Sequence, residues 1–107
     1  MGPSRIEFLE QALKTSPENT FMRYALAMEI ANSERPEAAW EHFQYLLQRH
    51  PDYAATYLQA GMYLIKQGKE QEARNVFKKG IEVTRRQGNL HALSELESAC
   101  EDLQEDS

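Results

Sequence analysis

The sequence predicts an all-α chain, and three observations carry that reading. Gly and Pro fall between segments of about 12–17 residues, which is helix length rather than strand length. Within each segment apolar residues recur at steps of three and four: Ile6, Leu9 and Leu13; Ala39, Phe43, Leu46 and Leu47; Leu93, Leu96, Cys100 and Leu103. Nothing alternates with period two over a useful length.

Capping chemistry then places six helices, over about 4–15, 20–32, 36–49, 53–66, 70–86 and 89–104. The first runs up to Pro17. Asn19 offers a side-chain oxygen to an orphan amide of the second. Pro36 with Glu37 suits the first turn of the third, where a missing N–H costs nothing and a negative charge meets the helix dipole. Asp52 after Pro51 is expected to do the same for the fourth, which ends before Gly68 as a left-handed cap. Gly88 closes the long fifth helix and Asn89 opens the sixth.

Pro17 and Pro51 are 34 residues apart, and Arg85 stands a further 34 on. When Thr20–Tyr53 is laid on Ala54–Gln87, the pair Leu26-Ala27 aligns with Ala60-Gly61. Ile30 aligns with Leu64, Ala39 with Ala73, Phe43 with Phe77 and Leu47 with Ile81. Period, small positions, aromatic position and the Pro after the second helix occur together in order. In this the chain resembles the tetratricopeptide repeat family over nearly all its length. The resemblance implies a right-handed stack of antiparallel helix hairpins. It divides residues 1–107, read as one domain, into a half repeat (4–19), repeats at 20–53 and 54–87, a capping helix (88–104) and an acidic tail (105–107). Small residues would let helices approach closely, Ala27 or Gly61 against Ala39 or Ala73. A large side chain at Ala73 should overpack that contact at about 1–3 kcal/mol.

The chain departs from the family pattern at several places. Arg23 stands where an aromatic is usual, whereas the second repeat has Tyr57. The turn Asn32-Ser33-Glu34-Arg35 lacks the Gly that the second repeat has at Gly68. Gly80 replaces an Ala, and Arg85 replaces the Pro. The layout is similar to that of small free-standing bacterial tetratricopeptide proteins, a group that lends no assigned biochemical role.

Composition narrows the function classes. The formal net charge is −5, from 12 basic and 17 acidic residues, which runs against general nucleic-acid binding. One cysteine, Cys100, excludes an intramolecular disulfide and suits a reducing compartment. No apolar run reaches the roughly 18 residues of a membrane span, and Met1-Gly2-Pro3-Ser4-Arg5 lacks an apolar signal region. A cytoplasmic location is expected, with no cofactor and no metal. Catalysis finds no footing. His42, His50 and His91 form no i, i+4 ligand pair and read as surface or helix-edge residues, Cys100 lies on an apolar stripe, and the five glycines are isolated.

The charge is unevenly spread: −3 over residues 1–65, +4 over 66–86 and −6 over 87–107. Arg74, Lys78 and Arg85 share a stripe that could meet RNA or an acidic partner. Neutralisation by Glu95, Glu97, Glu101 and Asp102 is the plainer reading.

In tetratricopeptide arrays the first helices of successive repeats line a concave groove where partners lie. By resemblance, the protein-binding positions here are Phe21, Tyr24 and Met28, then Leu58, Met62, Ile65 and Lys66, with Leu96 from the cap. The family's carboxylate clamp in that groove is disfavoured, because only Lys66 and Asn32 or Asn89 stand at its margins. Tyr, Met and Leu suit instead the apolar face of a helical or extended peptide. Two other readings stay open. The cap helix could bury this surface as core. Alternatively, the chain could self-associate as a homodimer through the groove or through Ile6, Phe8, Leu9 and Leu13 of the first helix.

Overall fold

The ends of each helix show why it begins and stops where it does. In a computed structural model, which describes residues 4–104, Ser4 opens α1 (Arg5–Thr15) by accepting from the Glu7 amide at 3.1 Å. Asn19 opens α2 (Thr20–Ala31) by accepting from the Met22 amide at 2.9 Å, as the sequence predicts. The turn that follows lacks glycine and manages with side chains. Asn32 Nδ2 donates to the Met28 carbonyl at 3.0 Å, and the Ser33 hydroxyl donates to that of Ile30 at 2.6 Å. Orphan carbonyls at the helix end are thereby satisfied without a left-handed residue.

The segment expected as one helix over 36–49 is divided. Pro36–Ala39 forms a 3-10 turn, and only Trp40–Arg49 is α-helix, α3. No side chain caps this start, so i→i+3 bonds such as Ala38 to Arg35 (3.2 Å) tighten the first turn instead. Helix α4 (Ala55–Lys66) begins two residues later than expected and has no side-chain cap, so Asp52 lies ahead of its first turn. Gly68 (φ 78°) ends it, with the Lys69 amide donating back to Leu64 at 2.8 Å. Gly88 (φ 71°) ends α5 (Glu70–Gln87) in the same way, and Asn89 caps α6 (Leu90–Gln104) through the Ala92 amide at 3.2 Å.

Among the described residues there are six α-helices and no strand. The chain divides into two compact units, Met1–Tyr53 and Ala54–Ser107. In the first, α2 packs against α1, against the 3-10 turn and against α3. Its buried residues include Leu9, Leu13, Leu26, Ala27, Ile30, Ala39, Phe43 and Leu46. Fully burying one such large aliphatic or aromatic side chain stabilises by roughly 1.5–3 kcal/mol.

In the second unit α5 packs on α4, and α6 packs on both. Two glycines set the spacing. The Phe77 ring lies over Gly61, with Cζ only 2.6 Å from where a Cβ would stand. The atoms nearest to such a Cβ thus belong to the aromatic one turn beyond Ala73. Gly80 admits the Tyr57 Cβ and the Leu96 Cδ1, the latter 3.0 Å from a Cβ placed there. Thr84 returns its buried hydroxyl to the Gly80 carbonyl at 2.8 Å. The Thr56 hydroxyl, also buried, has no hydrogen-bond partner.

Two stability outcomes are expected in urea denaturation. Gly80→Ala should destabilise, because overpacking of about 1–3 kcal/mol against an atom tied to the Tyr57 backbone exceeds the roughly 1 kcal/mol gain in helix propensity. Thr56→Val should leave stability unchanged or raise it by about 1 kcal/mol, since it removes an unsatisfied polar group at nearly constant shape. A Gly80→Ala protein as stable as wild type would contradict the packing described.

Candidate protein-binding site

Phe21, Tyr24 and Met28 follow one another at three and four residues, so they share a face of α2. Phe21 is 67% exposed, an unusual state for a phenylalanine on a folded helix. Tyr24 and Met28 are half-buried, and the Tyr24 ring meets that of Tyr53 edge-on at 5.6 Å. In the second unit Leu58, Met62 and Ile65 occupy a face of α4 with the same stepping. Met62 is 43% exposed, Leu58 and Ile65 are half-buried, and Lys66 is exposed beside them.

Leu96 does not join this surface. It is 1% exposed and packs at Gly80, because α6 turns the stripe Leu96, Cys100 and Leu103 onto its own unit. The expected patch on α1 shrinks likewise: Leu9 and Leu13 are buried, Ile6 is half-buried, and Phe8 alone stands out, at 62% exposed.

The basic stripe is partly used internally. Arg74 donates to the Leu103 carbonyl at 3.4 Å, placing a cation at the negative end of α6. Arg85 meets Glu97 at 3.4 Å, so the expected neutralisation is realised at that residue. Lys78 is exposed.

Sequence reading missed a polar cluster in the first unit. Glu18, in the turn between α1 and α2, accepts from the Tyr45 hydroxyl (2.6 Å), Arg49 (3.1 Å) and His50 Nε2 (3.2 Å). Two guanidinium groups lie over the Tyr45 ring, Arg23 3.8 Å and Arg49 5.3 Å from its centroid. Arg23 also donates to the Pro17 carbonyl at 3.0 Å and to His42 Nδ1 at 3.2 Å, while its buried Nε has no partner. His42 is thus no surface residue; its side chain is 15% exposed, and Nδ1 faces a donor-only group, which fixes the neutral Nε2–H form. The only signal in the sequence was the misfit Arg23. Its partners are 6, 19 and 22 residues away, beyond helical spacing.

Among the described residues no group of three or more His, Cys, Asp or Glu could hold a metal ion. None of their helices is long and apolar enough to cross a membrane.

Tetratricopeptide repeats match over residues 32–96. The chain belongs to the tetratricopeptide repeat family. The crystal structure of a tetratricopeptide repeat domain protein from Salinibacter ruber is 33% identical, with a TM-score of 0.76 over 81% of this chain and 97% of that one. The solution structure of a tetratricopeptide repeat domain protein from the same organism gives 34% identity and a TM-score of 0.77, over 81% and 88% of the two chains. A protein of Bordetella parapertussis, solved in solution, is 25% identical with a TM-score of 0.84, over 98% and 91%. No curated protein matches. Tetratricopeptide repeats generally mediate protein–protein interaction, so a protein partner and a scaffold rather than a catalyst are what family membership carries.

The cluster makes stability depend on pH in two separate windows. Burial, opposed by Glu41 and reinforced by the Arg23 charge, pushes His42 below the ordinary value of 6.5. The unfolded chain therefore binds the proton first, and stability falls as pH drops below about 6.5 until the folded histidine also titrates. The Tyr45 hydrogen bond, then Arg49 and His50, hold Glu18 below 4.5 despite partial desolvation, so its contribution is lost only at lower pH. Thermal melts between pH 7.5 and 5.5 should show the first loss in wild type and a reduced slope in His42→Gln. Equal slopes would contradict the assignment.

Proposed function

We propose that this protein is a non-catalytic interaction module of the bacterial cytoplasm that binds a helical or extended apolar segment of a partner protein, without a cofactor. On this reading the partner lies along the first helices of the two repeats, in the groove that the family builds from them. The supporting observation is the pair of exposed apolar side chains on those helices, Phe21 on α2 and Met62 on α4. Each is flanked on its own helix by half-buried residues: Tyr24 and Met28 on α2, Leu58 and Ile65 on α4. Such a row offers apolar area at low ordering cost. Methionine adapts to irregular surfaces, and a tyrosine already held by a neighbouring ring loses little freedom on binding.

A second reading rests on Phe8, an exposed aromatic on α1. The chain would then self-associate as a homodimer through that helix. The RNA or acidic-partner reading draws least support, since Arg74 and Arg85 are engaged within their own unit.

Pull-down from native cytosol should separate these readings. Wild type is expected to retain a partner that Phe21→Ser, Met62→Ser releases by at least about tenfold, about 1.4 kcal/mol, with the melting curve little changed. Equal retention by the double variant would sink the groove reading. For self-association, light scattering should show a dimer that Phe8→Ser abolishes; a wild type that stays monomeric at high concentration removes it.

A further inference from the structure

Three donors from one turn of α3 and its end converge on a single carboxylate. The Tyr45 hydroxyl and Arg49 both donate to Glu18 Oε1, at 2.6 and 3.1 Å, and His50 donates to Oε2 at 3.2 Å. A carboxylate accepts only, so His50 Nε2 carries its hydrogen toward Glu18. We infer that Tyr45, Arg49 and His50 form a carboxylate-binding seat, kept closed by the chain's own Glu18, that an acidic group of a partner protein enters by displacing it.

Four features favour a displaceable occupant over a fixed tie. Glu18 sits in the turn between α1 and α2, outside any helix, with its side chain 55% exposed, so a rotamer change frees it without unwinding a helix. The turn does not depend on Glu18 for its anchorage, because Arg23 holds the Pro17 carbonyl at 3.0 Å. Two cations, Arg23 and Arg49, lie over the Tyr45 ring. Glu18 is the acid bonded to Tyr45, Arg49 and His50, so its departure removes a negative charge from beside them. Finally, an open recess of about 370 Å³, lined by Thr20, Arg49, His50 and Tyr53 together with Pro51 and Asp52, adjoins two of the donors. It gives an incoming chain room to approach. Asp52 at its margin disfavours a second negative charge, which points to one carboxylate rather than an acidic run.

The tether sets the affinity scale. Glu18 competes at an effective concentration in the millimolar range or above, so an isolated carboxylate displaces it poorly. A partner must add contacts, and Tyr53 offers them, lining the recess while meeting Tyr24 at 5.6 Å. The donors of the seat, Tyr45, Arg49 and His50, are none of the residues of the apolar rows on α2 and α4, so either reading can fail without the other.

The test compares wild type with Glu18→Ser by two-dimensional NMR, following the Tyr45 and His50 ring signals in low-salt buffer. Three probes are titrated: acetyl-Ala-Glu-Ala-amide, acetyl-Ala-Ala-Ala with a free C-terminus, and acetyl-Ala-Gln-Ala-amide. Glu18→Ser should bind at least one acidic probe about tenfold or more tightly than wild type, as removal of a tethered competitor requires. Which acidic probe binds distinguishes a side-chain carboxylate from a chain terminus. The Gln probe should leave the signals unmoved, and Arg49→Gln added to Glu18→Ser should abolish binding. Equal affinity in wild type and Glu18→Ser, or binding that survives Arg49→Gln, overturns the inference. Should Glu18→Ser lose its folded spectrum, Glu18→Gln takes its place with the same expectations, since it keeps the acceptor and removes the charge.

Discussion

The second hairpin of this chain depends on aromatic rings being pressed against residues too small to hold them off. In the second unit Phe77 covers Gly61, and Tyr57 reaches into the gap left by Gly80. In the first, Ala27, Ala39 and Phe43 are completely buried at the corresponding places. Interiors this tight tolerate no added methyl group without displacement. Once those rings are seated, the remaining freedom of each helix is a rotation about its axis. The apolar stripe settles that rotation, and with it which side chains are left in water. Phe21 and Met62 are exposed because Leu26, Ala27, Ala60 and Gly61 are buried.

Charge acts at the second level, on helix ends and borders. Helix α5 ends in Arg85 and Arg86, at the carbonyl pole where cations are favoured, and begins with Glu70 and Glu72 at the amide pole. Its neighbour α6 has no basic residue in its last turn, and Arg74 of α5 supplies the missing cation across the interface. A stripe that looks in sequence like a surface for polyanions is therefore partly an internal complement. Exposed pairs of this kind are worth at most about 1 kcal/mol each, so they orient α6 more than they hold it.

Helices and caps were legible in the sequence because their determinants are local: Asn19, Gly68, Gly88 and Asn89 act within four residues of themselves. The 3-10 start at Pro36 was less so, since it turns on a missing cap rather than a present one. Leu96 was misjudged for a different reason. Periodicity identifies an apolar stripe without saying whether its partner is a neighbouring helix or solvent, and α6 had such a neighbour in α5. The cluster around Glu18 escaped entirely, because its members are up to 32 residues apart and each is individually an ordinary surface residue type. Only a folded chain brings them within 3.2 Å.

Comparison of the two repeats explains why that cluster belongs to the first unit alone. Tyr57 and Gly80 of the second repeat correspond to Arg23 and Leu46 of the first, each 34 residues earlier. The small residue has become a large one, and the rigid ring a flexible chain. Where glycine leaves a gap, the ring of Tyr57 enters it and is buried; where Leu46 fills the same place, a ring at position 23 would overpack it. A long side chain that can leave the core is then the workable choice, and Arg23 leaves it, carrying its guanidinium out over Tyr45. The exit strands one buried N–H, at Nε, and installs a permanent cation beside the ring. Burial, reinforced by that cation, disfavours the charged form of His42, and the cation leaves the surroundings of Tyr45 short of negative charge, which is the condition that draws Glu18 in. A volume compensation in the core thus becomes an electrostatic feature at the surface, one that an acidic group from outside could equally satisfy.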